Sequence, residues 1–153
     1  MVAKKKHNAY SLAELVMVCV LMGICAMVAV PRMNLAVIKK YKSQTTAHQI
    51  ITDLRLVRNL AITSAATNNT GFALKMVGSS PYRTYRIINL ATNAEISSHT
   101  LVNDVQCTGG INFNFGPLGN LKTGSDTTLV VSAQGSTTTI TIIPATGSIT
   151  YGN

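Results

Sequence analysis

Leu15–Val30 reads LVMVCVLMGICAMVAV, sixteen consecutive residues without a charge, and how this run is read decides the fold. It falls short of the roughly 20 apolar residues that a helix needs to span a bilayer comfortably. Apolar character resumes past Pro31 through Met33, Leu35, Ala36, Val37 and Ile38, so the sequence predicts a hydrophobic transmembrane or assembly helix over residues 10–38. Ahead of it, residues 1–9 (MVAKKKHNA) form a short basic leader. A triple-lysine flank holds an N-terminus on the cytoplasmic side of a membrane.

Downstream of the run, Ala47, Ile50, Ile51, Leu54, Val57, Ala61 and Ala65 recur at three- and four-residue steps, with Arg55, Arg58 and Asn59 between them. That spacing predicts an amphipathic helix over 39–66. The segment Ser64–Gly71, SAATNNTG, ends it in turn-forming residues. Beyond Gly71 short Thr-, Val- and Ile-rich stretches alternate with Gly, Pro, Asn and Ser. They predict strands at 72–77, 82–90, 111–115, 128–133, 138–143 and 148–151 within a β-sheet region over 71–153. Gln134-Gly135-Ser136 and Pro144-Ala145-Thr146-Gly147 have turn composition. The near-continuous threonines from Thr137 to Thr141 suit a soluble strand. Residues 39–153 are thus one globular domain.

The expected architecture is α+β: one long N-terminal helix, transmembrane in its first half and amphipathic in its second, packed on a small antiparallel sheet. A continuous helix from 10 to 66 would be roughly 85 Å long at 1.5 Å per residue. A small domain cannot bury that length, so the first half must find lipid or other helices.

Composition narrows the function classes. Hydrophobic residues make up 46% and charged residues 12%, too apolar for disorder. The net charge of +8 falls to +5 if residues 1–9 are removed, so much of the basicity belongs to the leader. Cys19 and Cys25 lie in the apolar run and Cys107 stands alone downstream, so these three read as small packing residues. His48 and His99 have no acidic or thiol neighbour in sequence. The five acids and the glycine pattern form no nucleophile triad, phosphate loop or metal-ligand set. Neither enzymatic activity nor a cofactor or metal is expected.

Glu14 sits at the mouth of the apolar run, where an intramembrane carboxylate costs a few kcal/mol. If the chain is cut between Ala9 and Tyr10, Glu14 becomes the fifth residue, beside a new amino terminus. Ammonium and carboxylate can then neutralise each other within a chain or between neighbours, which makes Glu14 an assembly determinant. An ordinary signal peptide cut near Ala26 or Ala29 is the competing reading; it leaves Glu14 unexplained and lacks a clean A-x-A site. A lipoprotein signal lacks the small residue before Cys19 or Cys25.

The segment Ala9-Tyr-Ser-Leu-Ala-Glu-Leu15, with Lys4–Lys6 before it and Gly23, Ala26, Ala29 and Pro31 after it, resembles the signal of type IV prepilins. Ala9 stands where Gly is commoner, and Tyr10 where Phe is usual. Asp53–Ile62, Ile111–Gly119 and Thr139–Ile143 with Gly147–Tyr151 resemble the GspH/FimT group of minor pseudopilins and minor pilins. The resemblance implies a pilin fold, cleavage after Ala9 and N-methylation of Tyr10 by a prepilin peptidase. Expected partners are other pilin or pseudopilin subunits through the N-terminal helix and an inner-membrane assembly platform. The implied location is the inner membrane, single-pass, with the N-terminus cytoplasmic and the domain periplasmic until the filament assembles.

The implied function is a minor pseudopilin of a type II secretion system, in protein export across the outer membrane. The alternative is a minor pilin of a type IV pilus, including a DNA-binding competence pilin. Pro31 either weakens the helix for a membrane-to-filament transition or ends the membrane segment. For DNA, Arg83 and Arg86, interleaved with Tyr82 and Tyr85, are the basic-aromatic candidates. Alternation would put Arg83 with Tyr85 on one face and Tyr82 with Arg86 on the other. Gly147–Asn153 carries no Lys or Arg, unlike the basic C-terminal segment of DNA-binding members. Phe113 and Phe115 are expected to pack in the core, and Arg58 to sit on the helix surface or link helix to sheet.

Ala9→Leu is expected to leave the leader in place. The intact mass of the wild-type protein should lack residues 1–9 and carry one added methyl group, whereas the variant keeps its full-length mass.

Overall fold

The computed structural model describes residues 11–29, 35–133 and 135–152. The chain divides into two compact units, Met1–Leu35 and Ala36–Asn153. The first contains helix α1, Leu12–Ala29. Ser11 caps it: its hydroxyl accepts from the amide of Glu14 at 3.3 Å, and its carbonyl accepts from Glu14 and Leu15 at 3.0 and 3.2 Å. Such a cap satisfies amides of the first turn that have no partner within the helix.

The expected single long helix is corrected by the structure. Two helices stand in its place, α1 with 18 residues and α2, Leu35–Thr63, with 29. Among the described residues no helix is long and apolar enough to cross a membrane. At 1.5 Å per residue α1 is about 27 Å long, short of a hydrocarbon core of about 30 Å. The apolar residues 35–38, counted toward its length in the sequence, belong to α2. That helix carries Lys39, Lys40, Lys42, Asp53, Arg55 and Arg58 and uses its apolar stripe inside the second unit. A single-pass inner-membrane location, with a cytoplasmic N-terminus and a periplasmic domain, loses its structural basis on the same finding.

The β region is likewise two sheets rather than one small one. Its strands are β1 Phe72–Val77, β2 Thr84–Asn89, β3 Glu95–Thr100, β4 Gln106–Gly109, β5 Asn112–Phe115, β6 Thr128–Ala133, β7 Ser136–Ile143 and β8 Ser148–Gly152. One sheet runs β3-β2-β1-β5 and the other β4-β6-β7-β8, with all pairs antiparallel. Tyr82 and Cys107 bridge between the segment before β2 and strand β4.

Period-two alternation gives each sheet an apolar face. In the first, Leu74 lies between Ile87 and Phe113, and Phe72 opposite Phe115. In the second, Leu129 lies opposite Ile140 and Val131 opposite Thr138. These residues are buried, and the apolar ones form one cluster with Ala47, Ile50, Ile51, Leu54, Val57 and Ala61 of α2. The turn that follows α2 closes on Asn68, whose side-chain oxygen accepts from the amides of Thr70 and Gly71 at 3.0 and 2.9 Å. Its amide group reaches Asn89 at 2.9 Å. The turn is thereby tied to β2.

A second tie joins α2 to the loops. Arg58 Nε donates to the Gly119 carbonyl at 3.1 Å, and Gly147, with φ of 64°, lies against that same carbonyl in the β7–β8 turn. A Cβ at Gly147 would collide with the Gly119 oxygen, whereas one at Gly124, also at positive φ, would meet open space. Gly124→Ala should therefore cost only the left-handed backbone term of about 1–2 kcal/mol. Gly147→Ala should cost clearly more, measured as the difference in denaturant midpoints followed by tyrosine fluorescence.

Candidate assembly surface and the basic-aromatic strand

Beyond Glu14 helix α1 is apolar all the way round, and every side chain from Leu12 to Met27 is exposed. Leu12, Met22 and Met27 are 83%, 71% and 81% exposed. A helix without a polar face normally lies inside a protein or a lipid phase. Cys19 and Cys25 share this exposure, so they are not packed within the monomer. Ala9, Tyr10 and Pro31 lie outside the described residues.

Glu14 falls in the first turn of α1, where a carboxylate is favoured by the helix dipole. Ser11-Leu-Ala-Glu14 also has the S-x-x-E spacing of a capping box, and the serine half of that box is present. The bond runs from the backbone amide of Glu14, and its carboxylate stands at the end of the helix that favours negative charge.

The arginine–tyrosine stretch is arranged differently from simple alternation. Tyr82 and Tyr85 are both buried, and Arg83 and Arg86 are both exposed. Strand β2 starts only at Thr84, so Tyr82 belongs to the bridge with Cys107 and is out of phase with the strand. The pairing of Tyr82 with Arg86 on one face is therefore corrected. Neither tyrosine offers a ring to a nucleic-acid base. Arg86 faces Glu95 at 3.8 Å, and Arg83 borders a polar hollow of about 400 Å³ shared with Asn103, Asp104, Gln106 and Ser132. The acid in each place counters the charge that a phosphate would need.

Tyr85 is instead the centre of a partly buried polar contact that the sequence did not reveal. Its hydroxyl donates to Asp53 Oδ2 at 2.5 Å, and His99 stacks on its ring with centroids 5.3 Å apart. The His99 Nε2 lies 3.9 Å from the same carboxylate oxygen. Asp53 is on α2, Tyr85 on β2 and His99 on β3, so residues that are distant in sequence converge. Burial first, and then the neighbouring carboxylate, push the phenol far above its ordinary value. Burial pushes the Cys107 thiol up to about 12, which leaves it a packing group. His48 meets Tyr151 edge-on at 5.0 Å. Among the described residues no group of three or more His, Cys, Asp or Glu could hold a metal ion.

No family model, curated protein or solved structure matches this chain.

A phenol that ionises less readily when folded contributes stability that is complete below its unfolded pKa near 10 and is lost above it. The denaturation midpoint should therefore fall as pH rises past about 10. Tyr85→Phe should cost about 1.5–3 kcal/mol at neutral pH, the range for a hydrogen bond to a charged group, and flatten that alkaline decline.

Proposed function

We propose that the chain is a structural subunit of a type IV pilin-like filament, a minor pseudopilin of a type II secretion system that takes part in protein export. The observation that carries this reading is α1, a helix exposed from Leu12 to Met27 whose residues from Leu15 onward are all apolar. Water is a costly environment for that surface, at about 25 cal/mol per Å² of apolar area. Helices of sister subunits would cover it most completely, since like helices offer like surfaces along their whole length.

The prepilin-like signal around Ala9–Glu14 supports the same reading. Processing by a prepilin peptidase would place a free amine four residues before Glu14, and an assembly platform would add the subunit to the fibre. The same helix-driven packing would serve a minor pilin of a type IV pilus. Nothing in the arrangement of Arg83 and Arg86 favours DNA capture over either.

Two substitutions separate a charge-pairing role of Glu14 from a capping one. Glu14→Gln keeps a side chain suited to the capping box but has no charge; Glu14→Ala lacks both. Both should be lost from the sheared-filament fraction in cells that assemble the filament, with subunit levels unchanged. Wild-type incorporation of Glu14→Gln would reduce Glu14 to a helix cap.

A further inference from the structure

The two sheets have four edges, and three of them are protected. Strand β3 carries Glu95 and His99, and its pairing with β2 is irregular between Ile87 and Ile88. The outer side of β4 is occupied by Tyr82, which exchanges two hydrogen bonds with Cys107 at 2.7 and 3.0 Å. The outer side of β5 is occupied by the returning chain: Lys122 donates to the Asn114 carbonyl at 2.9 Å and Asp126 to the Asn112 carbonyl at 2.8 Å. Charge, irregularity and covering chain are the devices by which edge strands avoid further pairing.

Strand β8, Ser148-Ile-Thr-Tyr-Gly152, has none of these among the described residues. It ends its sheet beside β7, contains no charged residue and no proline, and is largely exposed. Its outer row of backbone groups is a template for one more strand.

We infer that this edge pairs with β8 of a second copy of the chain, antiparallel, about a two-fold axis at Thr150. The strand matches itself in this register. Ser148 would face the partner's Gly152, both small. Thr150 would face its own counterpart. Ile149 would face the partner's Tyr151, and this happens twice.

Ile149 and Tyr151 lie on the core face of the sheet, opposite Ile142 and Ile140. They are incompletely covered there, Tyr151 remaining 52% exposed. Cross-strand pairs of an aromatic with a β-branched residue are among the favourable ones. The net charge of +8 places nothing on the strand, so no like charges oppose across the seam. An unrelated extended peptide would gain the backbone bonds but not the doubled Ile149–Tyr151 match. A seam of two five-residue strands falls far below the roughly 1,200 Å² of a stable complex, so the contact is weak and suited to reinforcing a larger assembly.

The test is disulfide trapping in the full-length chain, with Cys19→Ser and Cys25→Ser removing the exposed thiols. On mild oxidation Thr150→Cys should give dimer severalfold above Ser79→Cys, an exposed loop control. Ser148→Cys and Gly152→Cys should each give little alone and dimer when mixed, which also tests the register if the Thr150 variant folds poorly. Association through α1 alone would raise all positions alike. Dimer from Thr150→Cys no greater than from Ser79→Cys, or as much from Ser148→Cys alone as from the mixture, would overturn the inference.

Discussion

Ile50, Leu54 and Val57 are wholly buried on one stripe of α2, and both sheets contribute to the cluster that contains them. This shared burial is the constraint on which the domain depends. Two four-stranded sheets of short strands each have one apolar face, and neither face is covered by its own sheet. A helix whose apolar positions recur every three or four residues supplies a common wall, because that spacing keeps them on one side over several turns. Polar contacts then fix where the wall sits. Asp53 is held by Tyr85, Arg58 by the Gly119 carbonyl, and Lys42 by Asp104 at 2.7 Å. Each joins α2 to a different part of the β region, so the helix is fixed in register as well as in contact.

Much of the domain was legible because its periodicity is local. The positions from Ala47 to Ala61 that repeat on a helical period are the buried ones. Strands at 72–77 and 128–133 coincide with β1 and β6, and those at 138–143 and 148–151 lie within β7 and β8. Strands β3 and β4 left no comparable mark. EISSHT is polar on both faces because it lies exposed at an edge. QCTG is four residues long and is held in place by Tyr82 and by β6 rather than by its own composition. Whether eight strands form one sheet or two depends on partners far apart in sequence, which no local pattern records. The single long helix differs from the structure for a related reason. Apolar residues on both sides of Pro31 were added together, although those from Leu35 onward begin a helix that belongs to the domain.

The site residues divide in the same way. The cap at Ser11 is legible as S-x-x-E, although a carboxylate beside an apolar run points to charge pairing as readily. The Asp53–Tyr85–His99 contact was not visible, since its members are 32 and 14 residues apart in order and only the pairing of α2, β2 and β3 joins them. The basic-aromatic stretch was visible but misphased. Alternation holds within a strand, and Tyr82 lies before β2 begins, where the chain is turned by its bridge to Cys107.

Two surfaces remain that the monomer does not satisfy, and they differ in kind. The exposed side chains of α1 call for apolar area, a demand that any greasy surface meets and that does not select a register. The outer edge of β8 calls for hydrogen bonds at fixed intervals, a demand that only an extended strand meets and that selects one alignment in steps of two residues. Burial of apolar area supplies most of the free energy in association, whereas directional bonds decide among arrangements of similar area. In the proposed assembly, a chain carrying both would draw on α1 for strength and on β8 for alignment. The weakness of a five-residue seam would then be an advantage, because a strong edge on a free chain would promote pairing before α1 was covered.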